Sequence, residues 1–109
     1  MPALELSALA LQPQHLQKLQ ALLAQYTPEA QVWAYGSRVN GTAHEGSDLD
    51  LVLRNPADLT QEVLGGRALR EALQASDLPI LVDVHQWSQL PMAFHPNIEA
   101  AYVVVHPRG

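Results

Sequence analysis

An α/β (α+β) domain, a small mixed β-sheet flanked by helices, is predicted by three observations. Apolar residues recur at three- and four-residue spacing in two separate stretches, the pattern of a helix with one buried stripe. Four short runs rich in β-branched and aromatic residues lie between and after those stretches, which suits strands. Hydrophobic residues make up 48% of 109 positions, enough for one packed core and little room for a second domain. The order reads roughly α-β-β-α-β-α-β, and the whole of 1–109 is expected to form one domain.

The first helix is predicted over 13–26. Leu16, Leu19, Leu22, Leu23 and Tyr26 form its stripe, and Pro13 suits the first turn, where a missing N–H costs nothing. Thr27-Pro28 ends it, because the residue before proline disfavours helical geometry. Gln31 to Tyr35 read as a strand, with Trp33 and Tyr35 as packing residues. Residues 36–47 contain Gly36, Gly41 and Gly46 among small polar residues and read as a loop with room for one helical turn. Asp48 to Arg54 read as the second strand, stopped by Asn55-Pro56.

A helical region is expected from about Asp58 to Ala75. Asp58 and Gln61 have the spacing of a capping box, Gly65-Gly66 break or kink it, and Ala68, Leu69, Ala72 and Leu73 carry its stripe. Ile80 to His85 read as the third strand, a short helix is expected within 92–101 starting near Pro96, and Tyr102 to Val105 read as the fourth strand.

Composition excludes several function classes. There is no cysteine, so disulfides and thiolate metal sites are ruled out. The formal net charge is −5, which argues against sequence-independent nucleic-acid binding, since that needs a basic patch. The first residues lack the basic and apolar segments of a signal peptide, and no apolar run approaches the roughly 20 residues of a membrane span. A cytoplasmic protein is expected, with neither membrane nor nucleic acid as partner.

The chemistry concentrates in residues 36–51. Asp48 and Asp50 are two apart on a predicted strand, so both side chains take one face while Leu49, Leu51 and Leu53 take the other. Carboxylates so close together repel and call for a cation, and hard oxygen ligands favour Mg²⁺. In the third strand Asp83 interrupts an otherwise apolar run, where an unpaired buried carboxylate would be costly. With the second and third strands adjacent, Asp83 joins Asp48 and Asp50, and three carboxylates around two ions are the parts of a two-metal phosphoryl-transfer site. His85 shares the face of Asp83. Gly36-Ser37 follows a strand, and backbone N–H groups at such a turn cradle phosphate.

The string Gly36-Ser37-Arg38, then Gly41, Ala43 and Ser47-Asp48-Leu49-Asp50-Leu51, resembles the signature of minimal nucleotidyltransferases of the polymerase β superfamily. The resemblance spans about 13–106, and its specificity lies in 36–51 and Asp83. It implies a palm-like fold and transfer of a nucleoside monophosphate, with ATP as donor and two Mg²⁺ ions, to an acceptor hydroxyl. It implies Gly36 and Ser37 as triphosphate-binding residues, with Arg38 and Ser47 as further nucleotide contacts. Asp48, Asp50 and Asp83 are implied as metal ligands and catalytic residues, Asp83 helping to deprotonate the acceptor. Minimal members of this kind pair with small helical proteins of the HEPN class as toxin–antitoxin couples, and in some pairs the antitoxin adenylylates a tyrosine of the toxin. Two other readings stay open: a non-catalytic neutralising subunit, and transfer to a small-molecule acceptor. Homo-oligomerisation also stays open.

Overall fold

The computed structural model describes residues 3–4, 6–41 and 48–106. A five-stranded mixed sheet runs in the order β1-β5-β2-β3-β4, built from β1 (Ala3–Leu4), β2 (Gln31–Tyr35), β3 (Leu49–Arg54), β4 (Val82–Gln86) and β5 (Tyr102–His106). β2 is antiparallel to both β3 and β5, whereas β4 is parallel to β3 and β1 parallel to β5. The helices are α1 (Pro13–Tyr26), α2 (Ser37–Asn40), α3 (Gly66–Ala75) and α4 (His95–Glu99), with 3₁₀ turns at Leu6–Ala8, Trp87–Gln89 and Met92–Phe94.

Each face of the sheet buries its own cluster. Val32, Ala34, Leu49, Leu51, Leu53, Val84, Val103 and Val105 point to one side, where Leu19 and Leu23 of α1 and Leu69 and Leu73 of α3 cover them. This is the strand alternation expected for Leu49, Leu51 and Leu53. On the other side Trp33, Tyr35, Val52, Trp87 and Ile98 form a smaller aromatic-rich cluster under the segment that follows β4. Trp33 stacks on Tyr102 with ring centroids 3.7 Å apart, and the Arg54 guanidinium lies 3.7 Å from the Trp33 ring centroid and 4.5 Å from that of Trp87. Trp33 and Tyr35 are therefore packing residues, and Trp87 joins them at 6% exposure.

Helix α1 has the bounds its stripe implies, with Pro13 at its first position. Both the N–H and the hydroxyl of buried Thr27 donate to the Leu23 carbonyl, at 2.8 and 2.9 Å, so the end is closed by threonine as well as by the following proline. The expected helix from Asp58 is shorter than its pattern: only Gly66–Ala75 is helical. The Asp58 carboxylate instead accepts from the Thr60 N–H and hydroxyl at 2.9 and 2.6 Å, a local turn that competes with helix formation. No apolar stripe crosses 58–64, where Leu59 and Leu64 are exposed, so packing gives that stretch no reason to wind.

Gly65 starts α3 in the left-handed region at φ +89°. A Cβ there would be driven into the Tyr26 carbonyl oxygen at the end of α1. Gly65→Ala is therefore expected to destabilise the fold by about 2–3 kcal/mol, combining backbone strain with a steric clash. Chemical denaturation should show the loss as a lower midpoint at unchanged slope.

The other departures lie at element ends. β4 begins at Val82 rather than Ile80, because its one neighbour, β3, begins at Leu49, which pairs with Val82. The expected helix in 92–101 divides into the 3₁₀ turn and α4. β1 was not expected: two residues carry no period, and they pair only through β5.

Candidate active site

Three polar side chains come into line across three strands. Tyr35 of β2 pairs with Asp50 of β3, and Asp50 pairs with Asp83 of β4. Residues directly opposite in a ladder share a face, so the phenol and the two carboxylates stand side by side. Asp48 lies one residue before β3 rather than on it, and it is exposed. It is still near enough for its charge to act on Asp50. The sequence-predicted triad is thus brought to one end of the β3–β4 pair, with Asp48 at the mouth rather than in the ladder.

The electrostatics record the crowding. The Asp50 carboxyl is held above its ordinary range, first by burial and then by the Asp83 charge, with a further push from Asp48 and an opposing pull from His85. The Tyr35 phenol is pushed up to about 12 by burial and by the Asp50 and Asp83 charges. It remains a neutral hydroxyl at any physiological pH.

Gly36 completes this end of the sheet. It sits at φ +85°, ψ −155° immediately after β2, a backbone region open to glycine and strained for other residues. A Cβ at this position would lie 2.6 Å from Asp50 Oδ2. The missing side chain lets the turn approach the carboxylate, and α2 starts at Ser37 directly after it. Arg38 is largely buried, and its Nη1 donates to the Ala10 carbonyl at 2.7 Å while Ala10 N–H donates to the Arg38 carbonyl at 2.7 Å. That guanidinium therefore ties the N-terminal segment to the turn. Ser47, like His44 and Glu45, lies outside the described residues.

The donor set is compatible with a divalent ion. Carboxylate oxygens are the hard ligands Mg²⁺ takes, and the raised Asp50 carboxyl, crowded by the Asp83 charge, is what a cation would relieve. Among the described residues no three His, Asp or Glu donors already stand in a ligating arrangement. Neighbouring strands are about 4.8 Å apart, so two in-register carboxylates are within reach of one ion at ligand bonds of about 2.1 Å.

Beside the acids, away from Gly36, a pocket of about 350 Å³ is lined by Tyr35, Asp50, His85, Leu90, Pro91 and Phe94. Sequence reasoning missed its outer wall. The run Leu90-Pro91-Met92-Ala93-Phe94 is apolar, but an apolar run next to a helix reads as core, and only the fold shows Met92 83% exposed.

A palm-type arrangement, with acids on the adjacent strands β3 and β4 next to a glycine turn, defines a nucleotidyltransferase. Residues 5–102 match the family described as the central palm domain of mitochondrial-like poly(A) RNA polymerase, and the chain belongs to this polymerase β-like nucleotidyltransferase family as a minimal member. It is also similar to a curated protein of Haemophilus influenzae, the probable protein adenylyltransferase MntA, with 36% identity over 100 residues that cover 92% of this chain and 86% of the relative. Among the described residues no helix is long and apolar enough to cross a membrane.

Proposed function

We propose that the protein transfers AMP from ATP to a hydroxyl on a protein partner in the cytoplasm, in the manner named for its Haemophilus relative. The observation that carries this reading is the register pairing of Asp50 with Asp83 beside Gly36. It brings two carboxylates and a glycine turn to one point, which supports a phosphate-binding role for that turn. The favoured partner is a small helical HEPN-type toxin, with a tyrosine as acceptor and this chain as antitoxin.

In this mechanism Gly36 and Ser37 receive the triphosphate at the turn, with Arg38 and Ser47 as further nucleotide contacts. Asp48, Asp50 and Asp83 are the residues that would hold two Mg²⁺ ions. Bound Mg²⁺ supplies charge neutralisation of the phosphates and lowers the pKa of the attacking hydroxyl. Asp83 takes up the acceptor proton, and the neutral Tyr35 hydroxyl stands alongside without adding charge. The acceptor oxygen attacks the α-phosphorus, the bond to the bridging β-phosphate oxygen breaks, and pyrophosphate leaves.

The test is incubation with α-labelled ATP, Mg²⁺ and the product of the adjacent gene. Label is expected on the partner with the wild-type chain and none with an Asp48→Asn/Asp50→Asn variant that still binds it. A folded partner left unlabelled by the wild type would remove the proposal. Suppression of the partner that survives the double substitution would favour a purely neutralising subunit.

A further inference from the structure

The pocket next to Asp50 has one polar edge and an apolar, aromatic remainder. Asp50, His85 and the Tyr35 hydroxyl supply the edge, and Leu90, Pro91 and Phe94 form the rest. The Tyr35 and Phe94 rings meet edge to face, centroids 6.2 Å apart at 74°, leaving an aromatic corner into which a third ring fits by the same quadrupole preference. At about 350 Å³ the space is at the small end for ligand sites and suits one ring.

The wall is held in place from both ends. Buried Trp87 stacks on His95 with centroids 3.9 Å apart, and His95 Nε2–H donates to the Trp87 carbonyl at 3.1 Å. Between them Leu90 N–H donates to the Trp87 carbonyl and Phe94 N–H to the Pro91 carbonyl. The loop is thus closed on itself before any ligand arrives. Its outer surface is apolar and open: Met92 is 83% and Phe94 38% exposed. An apolar rim of this kind suits an acceptor carried on a protein surface.

Position separates this pocket from the nucleotide. Counting from the row Tyr35–Asp50–Asp83, Gly36 continues the chain off one end of the sheet. His85 lies one pleat further in, paired with Val52. A triphosphate at the turn and a ring in the pocket would therefore approach the carboxylates from opposite sides, as an in-line displacement requires.

We infer that this pocket is the acceptor subsite, built for an aromatic ring bearing a hydroxyl, with Phe94 and Leu90 as residues that set acceptor specificity. The inference rests on the function proposed above. Its chemistry is the same: the phenolic O–H gives its proton to Asp83, an O–P bond forms at the α-phosphorus, and pyrophosphate departs.

Binding can be read without any transfer. N-acetyl-tyrosinamide titrated into the whole chain should shift the NMR signals of His85, Leu90 and Phe94, whereas N-acetyl-serinamide and adenosine should leave them in place. Phe94→Ala, and separately Leu90→Ala in case the first fails to fold, should weaken that binding about tenfold, the scale of one lost aromatic contact. In the transfer assay the same variants should raise KM for the acceptor by a similar factor and leave KM for ATP unchanged. Adenosine displacing the tyrosine probe, or ATP KM rising in place of acceptor KM, would make this a nucleobase site and overturn the inference. Shifts confined to other residues, or unchanged binding in both variants, would overturn it as well. Ring binding without any transfer would leave the subsite standing and sink the adenylyltransferase reading instead.

Discussion

Replacing Asp50 by asparagine is expected to abolish transfer, by about a thousandfold or more, while making the folded chain more stable at neutral pH. The first effect follows from removing a proposed metal ligand and its charge from a phosphoryl-transfer site, where several kcal/mol of transition-state stabilisation is involved and each 1.36 kcal/mol is tenfold. The second follows from the direction of the Asp50 shift. Burial and the Asp83 charge raise its folded-state pKa above the ordinary 3.8, so ionisation is harder in the folded chain than in the unfolded one. That penalty is absent below the unfolded value and grows as pH rises through the folded one. The variant, which does not ionise, escapes it. In a domain of this size about 1 kcal/mol moves the melting midpoint by roughly 4–8 °C, so the fraction left after solvent screening of a half-buried acid is still measurable. Melting curves across pH should coincide for the two proteins in acid and separate toward neutrality, the variant melting higher. Mg²⁺ with ATP should then raise the wild-type midpoint and not the variant's.

Gly36→Ala is expected to remove activity by a different route and to cost stability. The added methyl meets Asp50 Oδ2 at 2.6 Å, and the backbone sits at φ +85°. Strain of this kind costs about 1–3 kcal/mol, and its relief would push either the turn or the carboxylate out of place. Activity and melting midpoint should therefore fall together, in contrast to Asp50→Asn, where they move in opposite directions. A Gly36→Ala protein with wild-type kcat would show that close approach of turn and carboxylate is not needed.

Much of this architecture is visible in the residues themselves. Strand alternation by itself separates Asp48 and Asp50 from Leu49, Leu51 and Leu53, and a lone Asp83 in an apolar run marks its neighbour. The in-register pairing of Asp50 with Asp83 is a stronger fact than that pattern implies, because register is set by where β3 and β4 start. Asp58 misleads because a capping-box spacing and a side-chain turn to Thr60 use the same residue types. β1 is silent in sequence because two residues have no period. The pocket wall is silent because apolar residues at 90–94 look alike whether they fill a core or line an opening. Arg38 reads as a phosphate ligand from its place beside Gly36-Ser37, yet its guanidinium also holds the Ala10 carbonyl, a contact no local pattern announces.

The central claim is that Asp48, Asp50 and Asp83 act as one cation site, and Mn²⁺ as a paramagnetic stand-in for Mg²⁺ reads it directly. With a nucleotide present, Mn²⁺ should broaden the amide signals of Gly36, of 49–51 and of 82–84 ahead of all others, and the effect should vanish in Asp50→Asn. Broadening that spares these strands, or that persists unchanged in the variant, would contradict the account.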